Sequence, residues 1–142
     1  MEVVEQTDLP DAEKIELLLQ VMQIHSIVYG DALCDRHFDF YNCNMRIVRC
    51  YIRLNNHSAA LDFLEKALEN AEKFMTYTDG DCYESLMVRG IRSENHSTWS
   101  QSPFDDMRDD FETPNLRELY DPIRDDPRFA AIVARLNAYE RQ

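Results

Sequence analysis

The chain has 142 residues, 44% of them hydrophobic and 11% aromatic, enough to bury a core as one globular domain over 1–142. Its 3 glycines and 5 prolines are too few turn formers for a β-sandwich. With 27 acids against 15 bases, a net charge of −12, there is no basic stripe to neutralise phosphates, and a charged partner surface is expected to be basic.

The opening segment, MEVVEQTDLP, has neither a basic n-region nor an apolar h-region, so no signal peptide is expected. No apolar run approaches the roughly 20 residues of a membrane span. The expectation is a cytoplasmic chain without a membrane partner, its 4 cysteines reduced. The N-x-S triplets at Asn56 and Asn95 then read as chance matches.

A first helix is expected from Pro10, placed at a first-turn position, to Tyr29, where Gly30 ends it. Its stripe, Leu17, Leu18, Val21, Ile24 and Val28, is widened by Ile15, Leu19 and Met22. A stripe that broad calls for partners on more than one side. Gly30-Asp31 links to a second helix from Asp35 to Leu54, and Leu54-Asn55-Asn56-His57 turns into a third, from Ser58 to Phe74 or Met75, with Ser58 as its cap. Residues 77–125 read as irregular. Within them Thr76 to Asp81 is a loop, Cys82 to Arg89 one short helix, Ser93 to Pro103 a polar connection, and Thr113-Pro114 the start of another short helix holding Leu116, Leu119 and Tyr120. A last helix over 127–139 opens at the Asp126 cap and carries Phe129, Ile132, Val133 and Leu136 at i, i+3, i+4 and i+7. No strand signal competes, so the predicted class is all-α, built from antiparallel helix hairpins, clearest at 35–75, with a long loop containing short helices and a capping C-terminal helix.

Within that hairpin, small Ala60 and Ala67 allow close approach of two helix backbones, while Tyr51 and Leu64 fill the space between them. The alternation resembles a tetratricopeptide repeat. Ala60, Leu64 and Ala67 stand where that family places Ala, Phe and Ala, with Tyr51 at its Tyr position and Ile47 at its Leu position. Asn44 replaces the family Trp and Val48 the Gly, a divergence that should alter the approach or crossing of the helices. The resemblance implies a right-handed superhelix.

A wider resemblance runs through Ile27-Val28-Tyr29-Gly30-Asp31, Phe38-Asp39-Phe40-Tyr41, Tyr51-Ile52-Arg53-Leu54, Ala60 to Ala67, Tyr83 to Gly90, Tyr120-Asp121-Pro122-Ile123-Arg124 and Asp126-Pro127-Arg128-Phe129. The chain is similar to the C-terminal tetratricopeptide-like half of XRE-type helix-turn-helix regulators of Gram-positive bacteria. That resemblance implies a regulatory half that dimerises or senses an effector, with DNA bound only through a helix-turn-helix domain. Nine residues before Pro10 cannot hold such a domain, so the sequence reads as a domain of a longer regulator or as a stand-alone relative.

Cys34, His37, Cys43 and Cys50 invite a metal-site reading but lack paired C-x-x-C knuckles. Cys43 and Cys50 also lie roughly 10.5 Å apart along a helix, so buried reduced thiols are expected, and a thiol sensor only where one is exposed with a lowered pKa. Asp79-Gly80-Asp81 and the segment Asp105, Asp106, Asp109, Asp110, Glu112 lack calcium-loop spacing and read as solvated acidic loops. His25 reads as a hydrogen-bonded structural histidine, and His57 and His96 fall in turns. Trp99 is a core plug or an exposed anchor.

No nucleophile–base motif or phosphate loop is present, so no enzyme, cofactor or metal is expected. The candidate partner-binding residues are Asn42, Arg46, Arg49 and Arg53, spaced by helical turns so that they could grip a peptide backbone or carboxylate. The expected function is a protein-interaction or effector-sensing and dimerisation module, a homodimer through its first or last helix. The alternative is a stand-alone adaptor holding a peptide in a groove.

Overall fold

The computed structural model describes residues 9–31, 33–76, 83, 85–89, 91 and 102–139, and among them every regular element is helical. Helix α1, Asp11–Tyr29, starts after Pro10, whose carbonyl accepts from the amides of Glu13 and Lys14 at 3.0 Å. Asp11 and Glu13 complement the positive end of its dipole. Gly30 closes it at φ 67, a left-handed conformation that glycine adopts without strain, and its N–H donates to Ser26 O at 2.9 Å.

One turn of 3-10 helix, Cys34–Arg36, leads into α2, His37–Arg53. The chain then reverses through a Schellman motif. Asn55 takes the left-handed position at φ 60, donating to Ile52 O at 3.0 Å, and Asn56 N–H reaches Tyr51 O at 2.9 Å. Helix α3, His57–Thr76, follows at once. Its cap is Asn56, whose Oδ1 accepts from Ala59 N–H at 3.3 Å, and not Ser58. Ser58 is already inside the first turn, because the tight reversal brings the helix start forward.

Helix α2 is the middle of the structure because it buries two sides. One faces α1, where Ile15 and Leu18 meet Cys43, Ile47 and Cys50. The other forms the main core with α3 and the C-terminal helices, through Tyr41, Met45, Val48 and Ile52. The α2–α3 pair is the largest helix–helix contact of the fold. Ile47, Val48, Ala60, Leu64 and Ala67 are all 0% exposed there, and Tyr51 packs on Phe63 with ring centroids 5.6 Å apart. Alanine at 60 and 67 permits that approach, since any larger side chain would hold the backbones apart.

The acidic stretch expected as a solvated loop is instead a helix, α4, Pro103–Glu112. Ser102 caps it, with Oγ accepting from Asp105 N–H at 3.2 Å, and Pro103 takes the first turn. Phe104, Met107 and Phe111, at i, i+3 and i+7, enter the main core. Much of the predicted irregular region 77–125 is therefore ordered helix. Short α5, Pro114–Arg117, a 3-10 turn, Glu118–Tyr120, and α6, Asp121–Arg124, follow. The Thr113 side chain does not cap α5, although Pro114 takes its first turn as expected.

Helix α7, Pro127–Asn137, opens as predicted on Asp126, whose Oδ1 accepts from Arg128 N–H at 2.8 Å. It buries Phe129, Ile132 and Leu136 and leaves Val133 half-buried. Residues 85–89 form turns where a short helix was expected. Thr76, expected to open a loop, is the last residue of α3, while the rest of that loop, 77–81, and the expectations for Cys82, Asn95, His96 and Trp99 fall outside the described residues.

Candidate functional site

The candidate partner-binding residues lie along α2. Asn42, Arg46 and Arg49 are half-buried and Arg53 is exposed. The two later arginines are engaged within the fold. Arg53 forks onto Asp11 at the start of α1, with Nη2 3.1 Å and Nε 3.2 Å from Oδ1. That hydrogen bond, outweighing the opposing effect of burial, holds the Asp11 carboxyl below its usual range. Arg49 reaches the other way, its Nη2 2.5 Å from Asp110 Oδ2 on α4.

Asp110 is the centre of a buried polar group. It also accepts from the Tyr120 hydroxyl at 2.8 Å. One turn earlier on α4, Asp106 accepts from the Tyr41 hydroxyl at 2.9 Å. Burial raises the Asp106 carboxyl, against the lowering effect of the Tyr41 hydrogen bond, and burial likewise drives both tyrosine hydroxyls well above their ordinary range. The outcome is a seam in which two α2 side chains, Tyr41 and Arg49, clasp two α4 carboxylates.

On its other side α4 carries a second buried pair. Arg108 Nη1 lies 2.7 Å from Asp105 Oδ1, while its Nη2 donates to Leu136 O at 2.9 Å and to Tyr139 O. An α4 arginine thus satisfies carbonyls left open at the end of α7, and the Phe104 and Tyr139 rings stack at 4.0 Å. Sequence reasoning missed this helix and its seam. The readable signal was Ser102-Pro103 followed by Phe104, Met107 and Phe111 at helical spacing; the density of acids obscured it.

Away from α4, a chain of side-chain hydrogen bonds ties the first half of α2 to α3. Asn44 Nδ2 donates to Asn70 Oδ1 at 2.8 Å, and Asn70 Nδ2 lies 3.4 Å from His37 Nδ1. Burial, reinforced by Lys73 and opposed by Glu69, lowers the His37 pKa to about 4. The neutral ring accepting from Asn70 fits that shift. His37 is thus part of the α2–α3 seam.

A third cluster joins the end of α1 to the start of α2. Arg36 lies over the Tyr29 ring at 5.0 Å and 3.2 Å from Asp39, and the Tyr83 hydroxyl donates to buried Asp35. His25 packs near the Tyr29 and Phe40 rings, with Nδ1 4.0 Å from Asp39 and not hydrogen-bonded, unlike the structural histidine expected there. His57 begins α3.

Cys34, Cys43 and Cys50 are buried free thiols. Burial pushes Cys43 up to about 11 and raises Cys50 as well. For Cys43 and Cys50 the direction is opposite to the lowered pKa a sensing thiol needs. Among the described residues no group of three His, Cys, Asp or Glu side chains could hold a metal ion, and no helix is long and apolar enough to cross a membrane.

No protein-family model matches the chain, and neither the curated proteins nor the solved structures contain a match to it.

Proposed function

We propose that the chain is a non-enzymatic, tetratricopeptide-like interaction module, the effector-sensing and dimerising half of a bacterial XRE-type regulator. The observation that carries this reading is the α2–α3 hairpin. Its positions 47, 51, 60, 64 and 67 hold the small and large side chains of a repeat, and all but half-buried Tyr51 are fully enclosed. Helix α1 packs on the opposite side of α2, as neighbouring helices of a right-handed superhelix would. Buried charged and polar groups support a binding role over a catalytic one. Asp105, Asp106 and Asp110 are each bonded to an arginine or a tyrosine within the fold.

A regulator of this kind works by population shift: a ligand or partner that binds one helix arrangement better than another repositions the attached DNA-binding domain. Direct DNA contact by this chain is disfavoured by its net charge of −12. A peptide-holding adaptor using Asn42, Arg46, Arg49 and Arg53 has less support, because Arg49 and Arg53 spend their charge on Asp110 and Asp11. The deciding measurement is the intact mass of the protein isolated from its native cells, with N-terminal sequencing. A heavier chain with a basic helix-turn-helix segment ahead of Pro10 is expected. A native species of 16.8 kDa would overturn the regulator reading.

A further inference from the structure

We infer that the end of α1 and the α1–α2 joint form one opening unit, a hinge that Tyr83 latches shut. The two ends of α1 are held differently. The first is seated by Ile15 and Leu18 in the core and by Asp11 on Arg53. From Leu19 to Tyr29 no residue is buried, and Val21 and Met22 reach the core only half-enclosed. The rest of that stretch keeps to α2 by partly solvated contacts. The His25 ring lies 6.2 Å from Phe40, and the Arg36 guanidinium sits 5.0 Å over the Tyr29 ring. Few buried apolar contacts place a segment at the low end of local stability.

Strain gathers at the same joint. Cys34 stands at φ 50, a left-handed backbone that a β-carbon disfavours. His25 Nδ1 and Arg36 Nε are buried atoms with no hydrogen-bond partner among the described residues. Such features persist only where surrounding contacts hold them. The α2–α3 reversal is the contrast: its left-handed residue is Asn55, a type that tolerates that backbone, and Asn56 caps the next helix. Tyr83 supplies the hold. Among the described residues of its segment it alone is buried, while Leu86, Met87 and Ile91 are each more than half exposed. Its N–H donates to Ile91 O at 3.1 Å, its ring lies 5.0 Å from Tyr29, and its hydroxyl donates to Asp35, the residue after Cys34. Asp35 is 4% exposed, so the closed joint needs that donor, whereas water solvates the carboxylate once the joint opens. Opening also lets Cys34 leave φ 50 and exposes little buried apolar surface. The hinge gives α1 two positions over an unchanged α2–α3 hairpin, with or without an attached DNA-binding domain.

Amide hydrogen exchange of the whole protein, followed by NMR over a series of sub-denaturing urea concentrations, tests this. The amides of Gly30, Arg36 and Ile91 donate to Ser26, Leu33 and Val88 and so report the end of α1, the joint and the latch segment. In the wild type the three should exchange through openings of similar frequency that respond little to urea. The α2–α3 amides should be slower and strongly urea-dependent, as global unfolding requires. Tyr83→Phe keeps the ring and removes the hydroxyl. It should speed the three amides by about tenfold to a hundredfold, the range for a hydrogen bond to a charged group, with their weak urea response unchanged. Three amides that follow the urea dependence of α2–α3 overturn the inference, because the joint then opens only with the whole fold. Rates at the three that differ widely, or that Tyr83→Phe leaves unaltered, overturn it too. So does a Tyr83→Phe chain that fails to fold, since losing the latch of a local unit leaves the α2–α3 hairpin standing.

Discussion

Replacing Asp110 with Ala removes the carboxylate that accepts from both Arg49 and Tyr120, at 2.5 and 2.8 Å. The Arg49 side chain is 26% exposed, so its guanidinium would remain partly desolvated without a counter-charge. Removing one member of a fully buried pair costs about 3–5 kcal/mol. Partial exposure of Arg49 reduces that, and the stranded Tyr120 hydroxyl adds about 1 kcal/mol. An expected loss of about 3 kcal/mol follows, a large share of the 5–15 kcal/mol typical of a domain, and a melting temperature lower by about 6–12 °C.

Urea denaturation of the wild type, Asp110→Ala, Arg49→Met and the double variant measures this as a cycle. The double variant should be less destabilised than Asp110→Ala alone, because it strands no charge. A coupling below about 0.5 kcal/mol would mean that the clasp does not hold α4 on α2, and the energetic account of the seam would be wrong.

Other consequences follow from single residues. His37, folded at about 4 against an ordinary 6.5, is favoured neutral in the native state, so its contribution is complete above pH 6.5 and is lost as pH falls from 6.5 towards 4. For this partly solvated ring the loss should reach about 1–2 kcal/mol, and denaturant midpoints across that range should be flatter for His37→Gln; an unchanged slope refutes the assignment. Leu64→Glu places a carboxylate at a 0% exposed position in the α2–α3 contact and should abolish cooperative melting. A wild-type transition in that variant would put the helix face elsewhere. Asn55→Ala should destabilise by about 1 kcal/mol, because φ 60 there strains a residue with a β-carbon and no local hydrogen-bonding side chain. Asn55→Gly should match the wild type in the same urea titration, and equal losses in both would rule out backbone strain as the cause.

The periodic stretches were legible in the sequence. Gly30 after an apolar run, Asp126-Pro127 before one, and Ala60, Leu64 and Ala67 at helical spacing are local facts, because caps and amphipathic faces depend on residues within two turns of each other. Helices α1, α2, α3 and α7 accordingly begin and end near their expected positions. Ser58 lost the cap to Asn56 because the reversal is set by Asn55 accepting a left-handed backbone.

What the tertiary structure decided is which polar residues face inward and which apolar ones are left out. The acids at 106 and 110 looked like solvated surface, since a carboxylate is stable inside only with partners, and theirs are far away in the sequence. Those partners, Tyr41 and Arg49, lie more than 60 positions earlier. The same long-range pairing ties two of the candidate partner-binding arginines within the fold, Arg49 to Asp110 and Arg53 to Asp11. For α1 the composition established that the helix is apolar around much of its surface. Only packing showed which side α2 covers and which side, at Ile24 and Ile27, stays exposed.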